Sequence, residues 1–302
     1  MSIGAFIVKR MAIFGLAFLA TGAAAADKSA QHFKPTGPWA MEYADQTCRL
    51  IRNFSDGNGV VTLAFEKTGL GAALSLGLAG ETLRTPSNAS MVRFRYNVDN
   101  GARSSALLKT VLVDGRDSFI VMSTQFLPGD QMLAIVRKAK YAQRWDAMDN
   151  AEAAAASKIT SISFTDGFIG DPEFEIGPMA APLKAMNACV EDLVRSWGVD
   201  PRLMRNPKRM IEPMNSPRYW LSMQDYPEEM WRAHKGGVVP VRLLIDENGA
   251  VTNCIPNVAL PGPFEDAVCR GIKKRARFRP ALDADGKPMK SYWQYGAIFP
   301  RW

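Results

Sequence analysis

The side chains best suited to covalent or proton chemistry are few: Cys48, Cys189, Cys254, Cys269, His32, His234 and a serine, Ser75. Neither histidine has a partner pattern around it, so both read as surface or structural residues. Ser75 lies in Ala73-Leu74-Ser75-Leu76-Gly77. That stretch echoes a nucleophile elbow, but it lacks the first glycine, the strand-turn-helix setting and a following histidine. There is no phosphate loop, no dinucleotide fingerprint and no HExxH. No CxxC pair or histidine cluster suggests a metal. The sequence therefore implies no catalytic residue, cofactor or metal. What remains is cysteine chemistry, and an even count in an exported chain suggests two disulfides.

Export is argued from residues 1–26. Lys9-Arg10 precede an apolar stretch from Met11 to Ala20, and Ala24-Ala25-Ala26 stand before Asp27. This is the layout of a signal peptide. The apolar run is shorter than the ~20 residues a spanning helix needs; an uncleaved short anchor is the alternative. Removing residues 1–26 deletes two basic residues and no acid, which takes the net charge from +7 to +5. The densest basic cluster is Lys273-Lys274-Arg275 with Arg277 and Arg279. It reads as a solvated helix end favoured by the helix dipole. Nothing resembles a nucleic-acid motif.

The elements that must carry Cys48 and Cys189 lie in residues 27–198. Trp39–Asn53 reads as a strand region holding Cys48, and Asp56-Gly57-Asn58-Gly59 as a turn. Val60–Lys67, Ala73–Leu78 and Met91–Val98 alternate with period two. Leu107–Val113 and Ser118–Thr124 flank a hairpin turn at Asp114–Asp117. Short strands at such spacing predict an antiparallel sheet of the kind found in sandwiches. Helical stretches over Leu133–Ala142, Ala151–Ser157 and Pro182–Trp197 close this part, with one more strand at Ile159–Phe164. In the last helix Leu183, Met186, Val190, Leu193 and Trp197 form a stripe, and Cys189 sits at its edge. Residues 199–217, rich in Pro, Arg, Asn and Met, read as a linker.

Residues 218–302 carry the other two cysteines. Val239, Val241, Leu243 and Ile245 alternate as a strand. Asp246-Glu247-Asn248-Gly249 follows, and Asn-Gly predicts a tight hairpin with two positive-φ positions. Pro263 opens a helix whose buried stripe is Phe264, Ala267, Val268, Gly271 and Ile272. Ser291–Phe299 reads as a last strand. The order is short helix, hairpin, helix, strand, and the whole chain is expected to be α+β. Three disulfide pairings are formally open. Pairing within each part selects Cys48–Cys189 and Cys254–Cys269, with Cys269 reaching sideways from the flank of its helix.

Four pieces of this last region resemble the C-terminal domain of the TonB family. They are Tyr226-Pro227, the hairpin Gly237…Ile245-Asp246-x-x-Gly249-x-Val251, the segment Arg277-Phe278-x-Pro280-Ala281, and the turn Gly286-x-Pro288. The resemblance spans about a quarter of the chain. It implies a periplasmic domain of a Gram-negative envelope that grips an extended segment of an outer-membrane or envelope protein beside its last strand. Carried over by position, that edge is Tyr292, Trp293, Tyr295, Ala297 and Phe299. The chain departs from the family's energy transducers. It has no Pro-rich spacer, no histidine in the N-terminal apolar run, and Leu260-Pro261-Gly262 where Ser-Ser-Gly is frequent. A periplasmic binding or scaffold protein is therefore the expected function. The alternatives are a tethered energy transducer with inner-membrane motor partners, if residues 11–25 stay uncleaved, and a periplasmic enzyme with its site in residues 27–198.

Overall fold

The computed structural model describes residues 30–111, 117–139, 143–257 and 262–300. The expected signal peptide lies outside these, as do the turn at 114–116, the end of the helix expected to reach Ala142, and Leu260-Pro261. No described helix is long and apolar enough to cross a membrane.

Ten strands of the N-terminal part form one sheet: β1 (His32–Pro35), β2 (Ala40–Tyr43), β3 (Cys48–Ser55), β4 (Val60–Lys67), β5 (Ser75–Gly80), β6 (Met91–Tyr96), β7 (Arg103–Val111), β8 (Asp117–Val121), β9 (Ile162–Asp166) and β10 (Glu173–Phe174). Their order is β1-β10-β9-β6-β7-β8-β5-β4-β3-β2. The first half of β3 pairs with β2, whereas Phe54 and Ser55 pair with β1. Because β1 also pairs with β10, nine strands close into a ring. The expected strands are present, but they form a barrel and not a two-sheet sandwich. The closing strand is short and its sequence, HFKP, carries little alternation.

Period-two alternation decides what fills the ring. In β4 Val61, Leu63, Phe65 and Lys67 are buried and the residues between them are not. Phe33, Phe54, Phe94, Phe164 and Phe174 join them inside, with Phe33 and Phe174 stacked at 4.6 Å and Phe54 edge-on to Phe174 at 5.6 Å. Aromatic side chains thus occupy the interior of the ring. Helices α1 (Gly129–Lys138), α2 (Arg144–Ala156) and α3 (Ala180–Ser196) follow. The stripe of α3 buries Leu183, Met186, Val190 and Leu193. A disulfide from Cys189 to Cys48 fixes α3 to the start of β3.

Residues 199–217 connect the two parts and are themselves packed. They include α4 (Pro201–Arg205) and β11 (Glu212–Pro213), with Met204 and Ile211 buried. The Arg209 guanidinium donates to Pro280 O at 2.9 Å. The C-terminal part continues with α5 (Glu228–Arg232), β12 (Gly237–Ile245), β13 (Val251–Pro256), α6 (Pro263–Arg275), β14 (Phe278–Arg279), β15 (Ala281–Leu282), β16 (Pro288–Met289) and β17 (Ser291–Phe299). β14 pairs with β11, and β15 with β16. The main sheet has the order β13-β12-β17, all antiparallel.

The four alternating residues of β12 are buried, as is the predicted stripe of α6. The sheet and helix bury these faces against each other, which is what makes a sheet this small stable. The β12–β13 turn differs from the expected one. Only Gly249 has positive φ, at 82°. Asp246 Oδ1 accepts from the N–H groups of Asn248 (3.0 Å) and Ala250 (2.8 Å), and the ladder bulges at Leu244/Ile245. The aspartate satisfies the turn amides, so Asn248 need not leave the ordinary backbone region. The β15–β16 turn repeats the device with Asp283 and Gly286.

A second disulfide joins Cys254 of β13 to Cys269 of α6. It closes a sequence separation of 15 residues. Changing both cysteines to serine is expected to lower stability by about 3 kcal/mol. Urea unfolding of the C-terminal sheet checks this; an unchanged midpoint would show that packing alone holds α6 in place.

Candidate functional site

The register of β12 and β17 runs without interruption from Gly237↔Phe299 to Ile245↔Ser291. Pro240 O accepts from Asn257 N–H at 2.8 Å, on the β13 side. The even-numbered residues of β12 therefore direct their backbone groups toward β13 and the odd-numbered ones toward β17. The same alternation in β17 leaves the N–H and C=O groups of Tyr292, Gln294, Gly296 and Ile298 facing the open edge of the sheet.

The residues named from sequence for this edge divide by face. Trp293, Tyr295, Ala297 and Phe299 turn their side chains toward the core. Phe299 stacks on Phe264 at 4.6 Å, Tyr295 lies edge-on to Trp220 at 5.2 Å, Trp293 is 5.9 Å from Phe278, and Ala297 is fully buried. Their backbone groups pair with β12. Tyr292 alone of the five lies on the outer face. Gln294, Gly296 and Ile298 share the outer face and the edge with it and were not among the residues named from sequence. The signal was present in the alternation, but aromatic residues occupy both faces of this strand, so counting aromatics did not separate them.

The outer face has two halves. At one end Tyr292 and Gln294 meet the barrel. Tyr292 Oη accepts from Leu70 N–H at 2.7 Å, and Gln294 Nε2 donates to Thr68 O and Oγ1 at 2.7 and 2.9 Å. Trp197, just after α3, lies edge-on to Tyr292 at 5.1 Å, and the Arg242 guanidinium stacks 3.6 Å above Trp197. Burial lowers the Arg242 pKa to about 10 and pushes the Tyr292 hydroxyl up to about 12. Arg242 is held over an aromatic ring, so the buried cation is compensated by the ring face. At the other end Val238 and Ile298, opposite each other in the register, are 63% and 65% exposed.

The opposite edge of the sheet is built differently. β13 ends in Pro256, faces the bulge in β12, and is bolted to α6 by the disulfide. Protein edges not meant for pairing are commonly broken by proline, charge or bulges. β17 carries none of these along nine residues.

The other residues weighed from sequence lie apart from this edge. His32 Nδ1 is 3.6 Å from Glu173 Oε2. His234 follows α5 with a φ of 51°. Ser75 opens β5 opposite Glu66, within a strand and not at a strand-to-helix turn. Of the basic cluster, Arg275 pairs with Asp225 and Arg279 with Glu212, while Lys273 and Lys274 are exposed. A cleft of about 550 Å³ lies on the barrel between Val98–Arg103 and Phe126–Gln131. Its guanidinium, Arg103, is engaged with Asp99 and with Gln125 O. Among the described residues no group of three or more His, Cys, Asp or Glu could hold a metal.

Among the described residues, this region is a three-stranded antiparallel sheet with a helix on one face and one uninterrupted edge strand that pairs with no further strand. Residues 222–295 match the family described as Gram-negative bacterial TonB protein C-terminal. The match covers the module from just before α5 into β17 and leaves the barrel outside it. No curated protein and no solved structure matches the chain.

Proposed function

We propose that this protein is a periplasmic envelope-binding protein, not an enzyme, that holds an extended segment of a partner protein along the open edge of β17. The observation that carries this is the contrast between the two edges: β13 is blocked and β17 is open, uncharged and regular. The match of residues 222–295 supports an outer-membrane or envelope protein as the source of the segment, in the envelope of a Gram-negative bacterium. Two disulfides fit an oxidising compartment. Backbone hydrogen bonds would supply the affinity, and side chains beside Ile298 and Val238 would add apolar contact.

The test is site-specific photo-cross-linking in the envelope of a Gram-negative host. A cross-linker at Ile298 is expected to give an adduct that maps to an extended stretch of an envelope protein. The same group at Met91, exposed on the barrel, is expected to give no such adduct. An Ile298 adduct no more frequent than the Met91 one, in a protein that unfolds normally, rules the edge out.

A further inference from the structure

The barrel has contacts with the outer face of β17, but only over part of its length. Its turn from Thr68 to Gly71 touches the two outer-face side chains nearest Ser291, and Trp197 lies beside them. The contact is close. A Cβ placed on Gly69 would lie 2.9 Å from Tyr292 Oη and 3.2 Å from Gln294 Nε2. Beyond these two positions the outer face is open among the described residues. Gly296 has no side chain, and a Cβ there would meet only Val238 Cγ1 at 3.8 Å. Ile298 is exposed. The edge groups of all four residues nevertheless face the same open side.

A strand added to this edge places alternate side chains on the outer face, each about 5 Å from its opposite neighbour on β17. Those beside Tyr292 and Gln294 would run into the space bounded by Thr68, Gly69 and Leu70. Those beside Gly296 and Ile298 would meet open space and apolar surface. We propose that the Thr68–Gly71 turn is the specificity wall of the strand-pairing site. The site then takes segments with small side chains at the two positions beside Tyr292 and Gln294, and accepts bulky apolar ones beside Gly296 and Ile298. This rests on the strand-pairing reading above. It also gives the barrel a part in recognition: the binding site is shared between the two regions of the chain, with the wall held by the hydrogen bonds from Leu70 N–H to Tyr292 Oη and from Gln294 Nε2 to Thr68, and with Trp197 edge-on to Tyr292.

The experiment uses the full chain and two synthetic heptapeptides with terminal lysines for solubility. One alternates Thr and Ala; the other alternates Ile and Tyr. With the alternating residues themselves opposite Tyr292 and Gln294, in either direction, the second peptide places bulky groups there and the first does not. Residue-resolved amide exchange follows Tyr292, Gln294, Gly296 and Ile298. The small peptide is expected to slow all four by roughly tenfold at saturation. The bulky peptide is expected to slow Gly296 and Ile298 alone. Equal protection of all four by both peptides would overturn the wall while leaving strand pairing intact. Protection by neither would overturn strand pairing, and the wall with it.

Discussion

Replacing Lys67 with methionine is expected to lower stability by about 4 kcal/mol, because it strands a buried carboxylate. Lys67 is the last inward position of β4, at the end of the barrel that α2 and α3 close. Its Nζ lies 3.2 Å from Glu152 Oε2 and 2.9 Å from Asn187 Oδ1. Both side chains of the ion pair are 1% exposed, and Glu152 Oε1 has no hydrogen-bond partner among the described residues. Burial raises the Glu152 pKa above its ordinary value of 4.5. For a carboxyl raised on folding, the protonated form is favoured in the fold. Its contribution is therefore complete below the unfolded value and is lost as pH rises through the folded one. Without the ammonium the rise is larger. The deficit of Lys67→Met is thus expected to be small near pH 4 and to grow toward pH 8. The double change Lys67→Met with Glu152→Met is expected to lie within about 1 kcal/mol of the native chain and to show no such pH dependence. Urea midpoints across this pH range decide the matter. Identical single and double variants would show that the pair is not the source of the loss.

Gly249→Ala is expected to cost about 4 kcal/mol, combining a strained left-handed alanine with overlap in a packed site. Gly249 has a φ of 82°, and a Cβ there would stand 1.9 Å from Phe278 O. That carbonyl belongs to β14, and Phe278 N–H donates to Gly249 O at 3.2 Å, so neither the turn nor β14 can yield alone. Gly286 occupies the same place in the second Asp-x-x-Gly turn, with a φ of 86°. Its nearest neighbour would be Lys208 Nζ at 3.1 Å, the movable end of a long side chain. Gly286→Ala is therefore expected to cost only about 1 kcal/mol. Denaturant unfolding followed through tryptophan fluorescence compares the two. Equal losses would mean that φ strain dominates and that the Phe278 contact is tolerated.

These two sites differ in how far they can be read from the residues alone. The glycine of an Asp-x-x-Gly turn announces a special backbone position. That the turn uses one positive φ and not two follows from the Asp246 carboxylate, whose hydrogen bonds depend on where the chain returns. Lys67 reads as an ordinary strand-terminal lysine. Its burial depends on Glu152 and Asn187, 85 and 120 residues away.

The sequence by itself determined most of the longer strands but not β1 or β10, together with the α6 stripe, the family resemblance of the C-terminal region, and a disulfide pairing that agrees with the structure. Each rests on local periodicity, on turn chemistry or on spacing within one region. Only the tertiary structure decided that the N-terminal strands close into a barrel. Closure depends on β1 meeting both β3 and β10, and no local pattern in four residues encodes two partners. The docking of the barrel on β17 was likewise invisible. It is made by a backbone N–H at Leu70 and a backbone carbonyl at Thr68, 222 and 226 residues from their partners, and by one edge-on tryptophan, Trp197. Backbone groups are present at every residue, so the composition gives no sign of which will be used. The fold chooses them by bringing one turn against one edge.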